Sequence, residues 1–337
     1  MSTPSPQTYL VTGGTGFLGQ TLVRRLLSAG HNVRVLARSK DMGLINQGAQ
    51  WHQGSILDRH LLSQATQDGD GVFHLAGRVD HTRRDGFEPF RRLHVEGTLA
   101  VLEAALLQNA RVVYASTCGT VAVSRDPAFI ANEDTPYQRD TVAPWPYHST
   151  KVEAEEAALD FANRKGLELI TMRPSLLLGP GDTRLSSSRT LVDFVARKIP
   201  FVPEGGLNVV DVRDVAAAFD LGMTLGRPGA TYLVGARNMT LAALFDQLQR
   251  LTGVPAPKLK IPYKAAHAAT RSATWGLGLI GRYDPGLDPV LVELAHHHWY
   301  LDSSAARHDL GWTTRPTEET LKDALEWLAQ HHPQKKS

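Results

Sequence analysis

A short apolar run, Tyr9–Thr12, passes directly into the turn Thr12-Gly-Gly-Thr-Gly-Phe-Leu-Gly19, and a helical pattern opens inside that turn at Phe17–Ser28. A strand that turns so sharply into a helix needs backbone without Cβ atoms. Gly13 allows the tight turn, Gly16 lets the backbone approach a pyrophosphate, and Gly19 lets helix and strand pack closely. The N–H groups of the first helical turn then face an anion, and the helix dipole favours one there. A bare structural turn would use the same glycines, so the motif needs company before it speaks of function.

The rest of the first half supplies that company. Val33–Ala37, Gln50–Gln53, Gly71–His74, Arg111–Ala115 and Glu168–Met172 read as further strands. Helical patterns lie between them at Arg59–Thr66, Phe90–Leu107 and Tyr147–Arg164, and Gly30 is placed to close the first helix in a left-handed cap. This alternation predicts an α/β fold: a doubly wound parallel sheet with helices on both faces. After Arg173-Pro174 the pattern becomes irregular, up to a last helical run near Thr317–Ala329. We expect a dinucleotide-binding domain over 8–174, joined by part of 208–234, and a smaller C-terminal substrate lobe over 175–330.

Composition excludes several classes. The 337 residues are 42% hydrophobic and 21% charged with a net charge of +2, which calls for neither nucleic acid nor an anionic surface as a bulk partner. One cysteine, Cys118, forbids an internal disulfide and fits a reducing compartment. It reads as a small packed residue rather than a nucleophile. The start lacks a signal-peptide apolar core, and no uncharged run reaches the ~18–20 residues of a membrane span, so a cytoplasmic enzyme without a transmembrane segment is expected. His296-His-His298 lacks the i, i+4 spacing of helical zinc sites, and no metal site is read there.

The chemistry sits elsewhere. Tyr147 and Lys151 are four apart on one helix face. A lysine cation beside a phenol stabilises phenolate, which predicts a lowered Tyr pKa and a side chain able to act as acid or base. Ser116 and Thr117 follow a strand at its C-terminal end, where ligands of open parallel sheets gather, and either hydroxyl can donate to a carbonyl oxygen. Past the second strand comes Arg38-Ser39-Lys40, with no carboxylate before Asp41. A strand-end acid would hold a free ribose 2′-hydroxyl, whereas Arg38 suits a 2′-phosphate. NADP(H) is therefore favoured and NAD(H) is the alternative.

Together these residues resemble the extended short-chain dehydrogenase/reductases, the NAD(P)-dependent epimerase/dehydratase superfamily, over about residues 8–330. His74-Leu-Ala-Gly77, Val95-Glu-Gly-Thr98, Val113-Tyr-Ala-Ser-Thr117, Arg173-Pro174, Gly179-Pro-Gly-Asp182 and Asp211-Val-Arg-Asp-Val-Ala216 add to the likeness. In style the chain is similar to the dihydroflavonol-reductase-like and 3β-hydroxysteroid-dehydrogenase-like branch. The resemblance implies a Rossmann fold, Thr117 as the catalytic hydroxyl with Ser116 beside it, Tyr147 as proton donor, and Lys151 also on the nicotinamide ribose. It implies cofactor contacts from Gly13, Thr15, Gly16, Phe17, Leu18 and Gly19, from Leu75, Ala76 and Gly77, and from Pro174 and Ser175. Ser55 stands where an Asp often meets the adenine, with Ile56 beside it to pack on the ring. His94 stands where many members carry Asn. A homodimer through the helices at 90–107 and 147–164 is also implied.

The expected function is NADP-linked reduction of a carbonyl on a small, hydrophobic molecule, or the reverse oxidation. A nucleotide-sugar epimerase or dehydratase is the rival, although Cys118-Gly119 replace the acids a dehydratase wants after the Thr. A non-catalytic NADP sensor is a third reading. The pocket is expected to draw on Arg78–Phe87, on the loop Asp182–Arg189, and on Trp299 and Tyr300. The apolar stretch 265–280, ending Trp275-Gly-Leu-Gly-Leu-Ile280, suits a packed lobe helix, a lid or a membrane-surface contact.

Overall fold

The computed structural model describes residues 5–279 and 288–332; of 276–279 only the backbone is described. The first half runs β1 (Thr8–Thr12), α1 (Phe17–Ser28), β2 (Asn32–Ala37), α2 (Met42–Asn46), β3 (Gln50–Gln53), α3 (Arg59–Thr66), β4 (Gly71–His74), α4 (Glu88–Arg91), α5 (Gly97–Leu107) and β5 (Arg111–Ala115). Then come α6 (Arg139–Val142), α7 (Pro146–Lys165), β6 (Leu169–Pro174), β7 (Leu176–Leu178), α8 (Arg189–Val195), β8 (Gly206–Asp211), α9 (Val212–Leu225) and β9 (Thr231–Val234). The chain closes with β10 (Arg237–Thr240), α10 (Leu241–Thr252), α11 (Tyr263–Leu279), α12 (Pro289–Ala295), β11 (His298–Trp299), α13 (Ser304–Leu310) and α14 (Thr317–His331).

Seven strands form one sheet in the order β3-β2-β1-β4-β5-β6-β9, with every pairing parallel. This is the doubly wound α/β architecture that the alternating pattern predicts. Successive side chains go to opposite faces. Val11, Val35, Phe73 and Val113 meet Leu22, Val23 and Leu26 of α1 and Val215 and Phe219 of α9. Their neighbours Leu10, Leu36, Val72, Val112 and Tyr114 meet Leu62 of α3, Val101 and Ala105 of α5, and Ala158 and Ala162 of α7. Both faces are thus covered, which is why the strands read as continuous apolar runs. Each buried aliphatic side chain contributes roughly 1.5–3 kcal/mol.

The first helix ends as the sequence predicts. Gly30 has φ +86°, its N–H donates to Leu27 O, and that of His31 donates to Leu26 O, so two orphan carbonyls are satisfied. Two differences from expectation bear on the site. The run predicted as one helix over 90–107 starts at Glu88 and carries a π-helical turn, Arg92–Glu96, between α4 and α5. Strand β6 extends two residues beyond Met172, where Arg173 finds a buried partner in Glu155.

Order changes at β1, from which the sheet grows in both directions. β4 lies on one side of it and β2 on the other, so a crevice opens at their C-terminal ends. After β6, α9 packs on α1 and β9 forms the far edge of the sheet. A second sheet surrounds β8, with β10 antiparallel and β7 and β11 parallel to it. Its core joins Val209, Met239, Leu244, Phe245, Leu248 and Leu328. The Asp211–Ala216 motif ties the parts together. Asp211 caps α9 through Arg213 N–H, Arg213 reaches Asp323, and Arg315 holds Asp214 at 2.8 Å. Among the described residues no helix is long and apolar enough to cross a membrane.

Candidate active site

The glycine turn lies at the crevice. A Cβ on Gly13, where φ is +73°, would come within 2.7 Å of Ala76 N, so the turn sits hard against the chain leaving β4. A Cβ on Gly19 would lie 2.2 Å from Gly13 O, so the helix packs onto the turn itself. Gly14 is a packing glycine that the motif does not single out: its Cβ would lie 2.7 Å from Val35 Cγ1. Gly16 caps α1 without a side-chain partner, and the first turn carries no acid. An anion at these N–H groups would therefore meet neither a competing cap nor a like charge. Thr15, Phe17 and Leu18 follow the same bend, and Leu75 N–H donates to Thr12 O at the facing strand end.

Other expected cofactor residues divide. Arg38 stands exposed just past β2, in no ion pair among the described residues. Ser55 accepts from Leu57 N–H at 3.2 Å. Ile56 is buried, its Cδ1 occupying the space a Cβ on Gly97 would need. Gly77 lies exposed, 3.7 Å from His94 Nε2 at its would-be Cβ. Pro174 ends β6, and Ser175 Oγ donates to Asn208 Oδ1 at 2.7 Å.

Helix α7 opens with Pro146, whose missing N–H costs nothing there, and ends at Gly166 in the left-handed conformation. It carries Tyr147 and Lys151 towards the end of β5. Lys151 is buried, and its Nζ donates to Ala115 O at 2.7 Å and to Tyr114 Oη at 3.1 Å. Burial lowers its pKa to about 8, against a smaller opposite pull from Glu155. The Tyr147 hydroxyl neighbours the Thr117 hydroxyl, just past the end of β5. The lowered phenol pKa expected of the Lys neighbour is not found. Burial pushes Tyr147 up to about 12, while the Thr117 hydroxyl pulls the other way. The reason is geometric: the ammonium is engaged by Tyr114 and Ala115.

The two strand-end hydroxyls also separate. Thr117 faces Tyr147 and accepts from Gly119 N–H at 3.2 Å. Ser116 is buried and donates to Glu155 Oε2 instead. Glu155 is fully buried, takes Arg173 Nε at 2.9 Å and Tyr137 Oη at 3.0 Å, and so commits Ser116 to a structural ion-pair network. Cys118 is buried, which raises its thiol to about 12 and leaves it a packed side chain.

His94, the departure from Asn, has a defined place. It sits in the π-helical turn, accepts Arg78 N–H at Nε2 (3.2 Å), and meets Thr150 Oγ1 through Nδ1 (2.9 Å). Thr150 Oγ1 itself donates to Pro146 O at 2.7 Å, so Nδ1 carries the proton and the ring is neutral. Burial and the Lys151 charge lower its pKa to about 3. His94 thus pins the chain after β4 to the residue preceding Lys151.

A wall of rings around Tyr147 escaped sequence reasoning in part. His81 meets Tyr147 edge-on at 5.3 Å between centroids, His148 meets it at 4.9 Å, and the two imidazoles stack on each other. Trp299 lies 5.0 Å from His148, with Trp145 beside both. His81 falls in the expected Arg78–Phe87 segment, and Trp299 was expected. His148 and Trp145 flank Tyr147 in sequence, and only their proximity to it pointed to them. Both His81 Nδ1 and His148 Nδ1 are buried without a hydrogen-bond partner among the described residues. Burial lowers both pKa values, so the wall is uncharged. Tyr300 packs elsewhere, its hydroxyl filling the space beside Gly206. The Asp182–Arg189 loop folds onto its own buried Asp182, which accepts Ser186, Ser187 and Ser188 N–H, each at 2.9 Å.

A glycine turn at the switch point, with a Tyr–Thr hydroxyl pair and a buried lysine at the next strand ends, defines a nucleotide-dependent α/β enzyme. The model of the NAD dependent epimerase/dehydratase family matches residues 9–235, and the chain belongs to that family. It is an NAD(P)-dependent enzyme acting on alcohol and carbonyl carbons. It is 32% identical to a putative dihydroflavonol 4-reductase of Synechocystis sp., across 96% of this chain and 95% of the relative. It is 30% identical to a 2-alkyl-3-oxoalkanoate reductase of Stenotrophomonas maltophilia, across 93% and 97%. Among solved structures, gox2253 superposes with a TM-score of 0.83 at 27% identity, covering 98% of this chain and all of that one. A UDP-glucose 4-epimerase of Thermotoga maritima superposes with a TM-score of 0.74 at 22% identity, over 96% and 99%, a likeness of fold.

Proposed function

We propose that this protein reduces a carbonyl group on a hydrophobic small molecule with NADPH, or oxidises the corresponding alcohol. The observation that carries the reading is the Tyr147–Thr117 hydroxyl pair beside an uncharged wall of His81, His148, Trp145 and Trp299. The reductase names of relatives that match nearly the whole chain support it.

A bound nicotinamide dinucleotide supplies or accepts the hydride. The chain's own residues do the rest. Gly13, Thr15, Gly16, Phe17, Leu18 and Gly19 hold the diphosphate, and Arg38 the 2′-phosphate. Ser55 and Ile56 line the adenine, with Leu75, Ala76 and Gly77 at the ribose side and Pro174 and Ser175 near the nicotinamide. Thr117 donates a hydrogen bond to the substrate oxygen. Tyr147, fully protonated at neutral pH with a pKa near 12, gives that oxygen its proton. Lys151 contributes positive charge behind the phenol and, from there, a contact to the nicotinamide ribose. Ser116 orders the strand end through Glu155. Residues 8–174, with part of 208–234, form the dinucleotide domain, and 175–330 the substrate lobe. Two copies associate through the outer faces of 90–107 and 147–164.

The test is a panel of ketones of growing apolar size beside UDP- and dTDP-sugars, followed by NADPH absorbance. Stoichiometric NADPH loss with the larger ketones is expected. Turnover of a nucleotide sugar without net cofactor loss, and none of the ketones, would make the protein an epimerase.

A further inference from the structure

Between Asp246 and Asp284 the sequence carries no acidic residue. Over the same stretch stand Arg250, Lys258, Lys260, Lys264 and Arg271. All five are exposed, and none takes part in an ion pair among the described residues. Elsewhere the arginines are mostly paired: Arg83 with Glu293, Arg91 with Glu153, Arg213 with Asp211 and Asp323. Among the described residues, the five cations of this stretch therefore have no counter-charge of their own.

Their arrangement is directional. Helix α11 turns Tyr263, Ala266, His267, Thr270 and Thr274 inward, at the spacing of one helix face, and packs on α12. Lys264, Ala268, Arg271 and Trp275 follow at i, i+4, i+7 and i+11, so they share one exposed stripe beside the packed face. Trp275 is 70% exposed, and Leu259, between two lysines just before the helix, is 57% exposed. An indole 70% exposed beside unpaired cations costs solvation in water and has no partner among the described residues. It suits a headgroup region, where the ring sits at the boundary and the cations meet lipid phosphates.

The face also lies next to the candidate pocket. On its inner side His267 meets Glu293 at 3.1 Å, and Glu293 accepts Arg83 and the Trp145 indole N–H at 2.9 Å. Trp145 directly precedes Pro146 and Tyr147. One carboxylate thus joins the back of α11 to the wall of the site.

We propose that the outer face of Lys258–Trp275 docks on an anionic lipid bilayer. Docking stands on the charge, exposure and helical phase of that face alone. Its purpose, to take up an apolar substrate partitioned in the membrane, rests on the reductase reading.

The test is co-sedimentation of the full-length protein, without substrate, with vesicles of phosphatidylcholine plus phosphatidylserine and vesicles of phosphatidylcholine alone. Binding to the anionic vesicles that weakens with added salt is expected, with little on the neutral ones. Each cation at such a surface contributes about fivefold. The double variant K264E/R271E should therefore lose at least tenfold in partitioning to anionic vesicles. Trp275→Ala should weaken binding too and remove a blue shift in tryptophan emission on docking. Both variants should keep wild-type turnover of a short, water-soluble ketone, because they lie outside the site. Equal binding to both vesicle types, or none to either, would overturn the proposal. So would concentration-dependent self-association abolished by Trp275→Ala without vesicle binding, which would give the face to a second copy of the chain. Failure of the ketone panel would leave the vesicle result standing, so the two claims fail separately.

Discussion

One residue of the proposed chemistry and one of the proposed cofactor contacts each make a separate prediction. Tyr147 neighbours the Thr117 hydroxyl and is walled by His81 and His148. Tyr147→Phe keeps the ring contacts and deletes only the proton. It should retain fold and cofactor affinity while turnover on a verified substrate falls at least about 10²-fold. Near wild-type turnover would remove Tyr147 from the mechanism. Arg38 stands unpaired past β2. Losing a charge-assisted phosphate contact costs roughly 1.5–3 kcal/mol, tenfold or more in affinity. Arg38→Ala should erase most of the gap between NADPH and NADH dissociation constants, and equal constants in the wild type would refute the assignment. Both residues were legible in the sequence, because strand ends and helix spacing announce them. The commitment of Ser116 was not. Its partner Glu155 lies 39 residues away, on a face of α7 that local pattern assigns simply to burial.

At the scale of elements, the glycine turn, six of the seven strands of the main sheet and helices α1, α3, α5, α7 and α14 follow from apolar periodicity, whereas α9 and α10 do not. The π-helical turn at Arg92–Glu96 does not, because its extra residue leaves the apolar pattern of 90–107 unbroken. That turn gives His94 its place between Arg78 and Thr150, and a pH consequence follows. His94 has a folded pKa of about 3, as does His74, which lies fully buried between Thr12 and Thr98. Both stay neutral in the fold, whereas the unfolded chain takes up protons near 6.5. Their contribution is therefore complete above about pH 6.5 and is lost progressively as pH falls towards 3. His94→Asn should lower stability at pH 7 by about 1 kcal/mol for the altered hydrogen bonds. It should also shrink the further loss between pH 7 and pH 5. Urea unfolding at the two pH values checks this, and an unchanged pH 7-to-5 difference would contradict it.

For the whole molecule, the fold class was readable because a parallel sheet buried on both faces writes itself as alternating apolar runs. How the chain closes was less so. Strand β9 at the far edge of the sheet depends on pairing with β6 across 60 residues, and the Asp211–Arg213–Asp323 and Asp214–Arg315 pairs that bind α9 to the C-terminal segment depend on contacts across about a hundred. The ring wall is likewise assembled from distant pieces, since Trp299 reaches His148 from β11 of the second sheet. The whole arrangement fits a net carbonyl reduction, in which a hydride leaves the cofactor for good. The most direct measurement is therefore reduction of a verified hydrophobic ketone with NADPH deuterated at the transferable position. One deuterium on the carbinol carbon of the product, with one NADPH consumed per alcohol formed, is the expected result. Product without deuterium, or conversion without net loss of NADPH, would contradict the reductase.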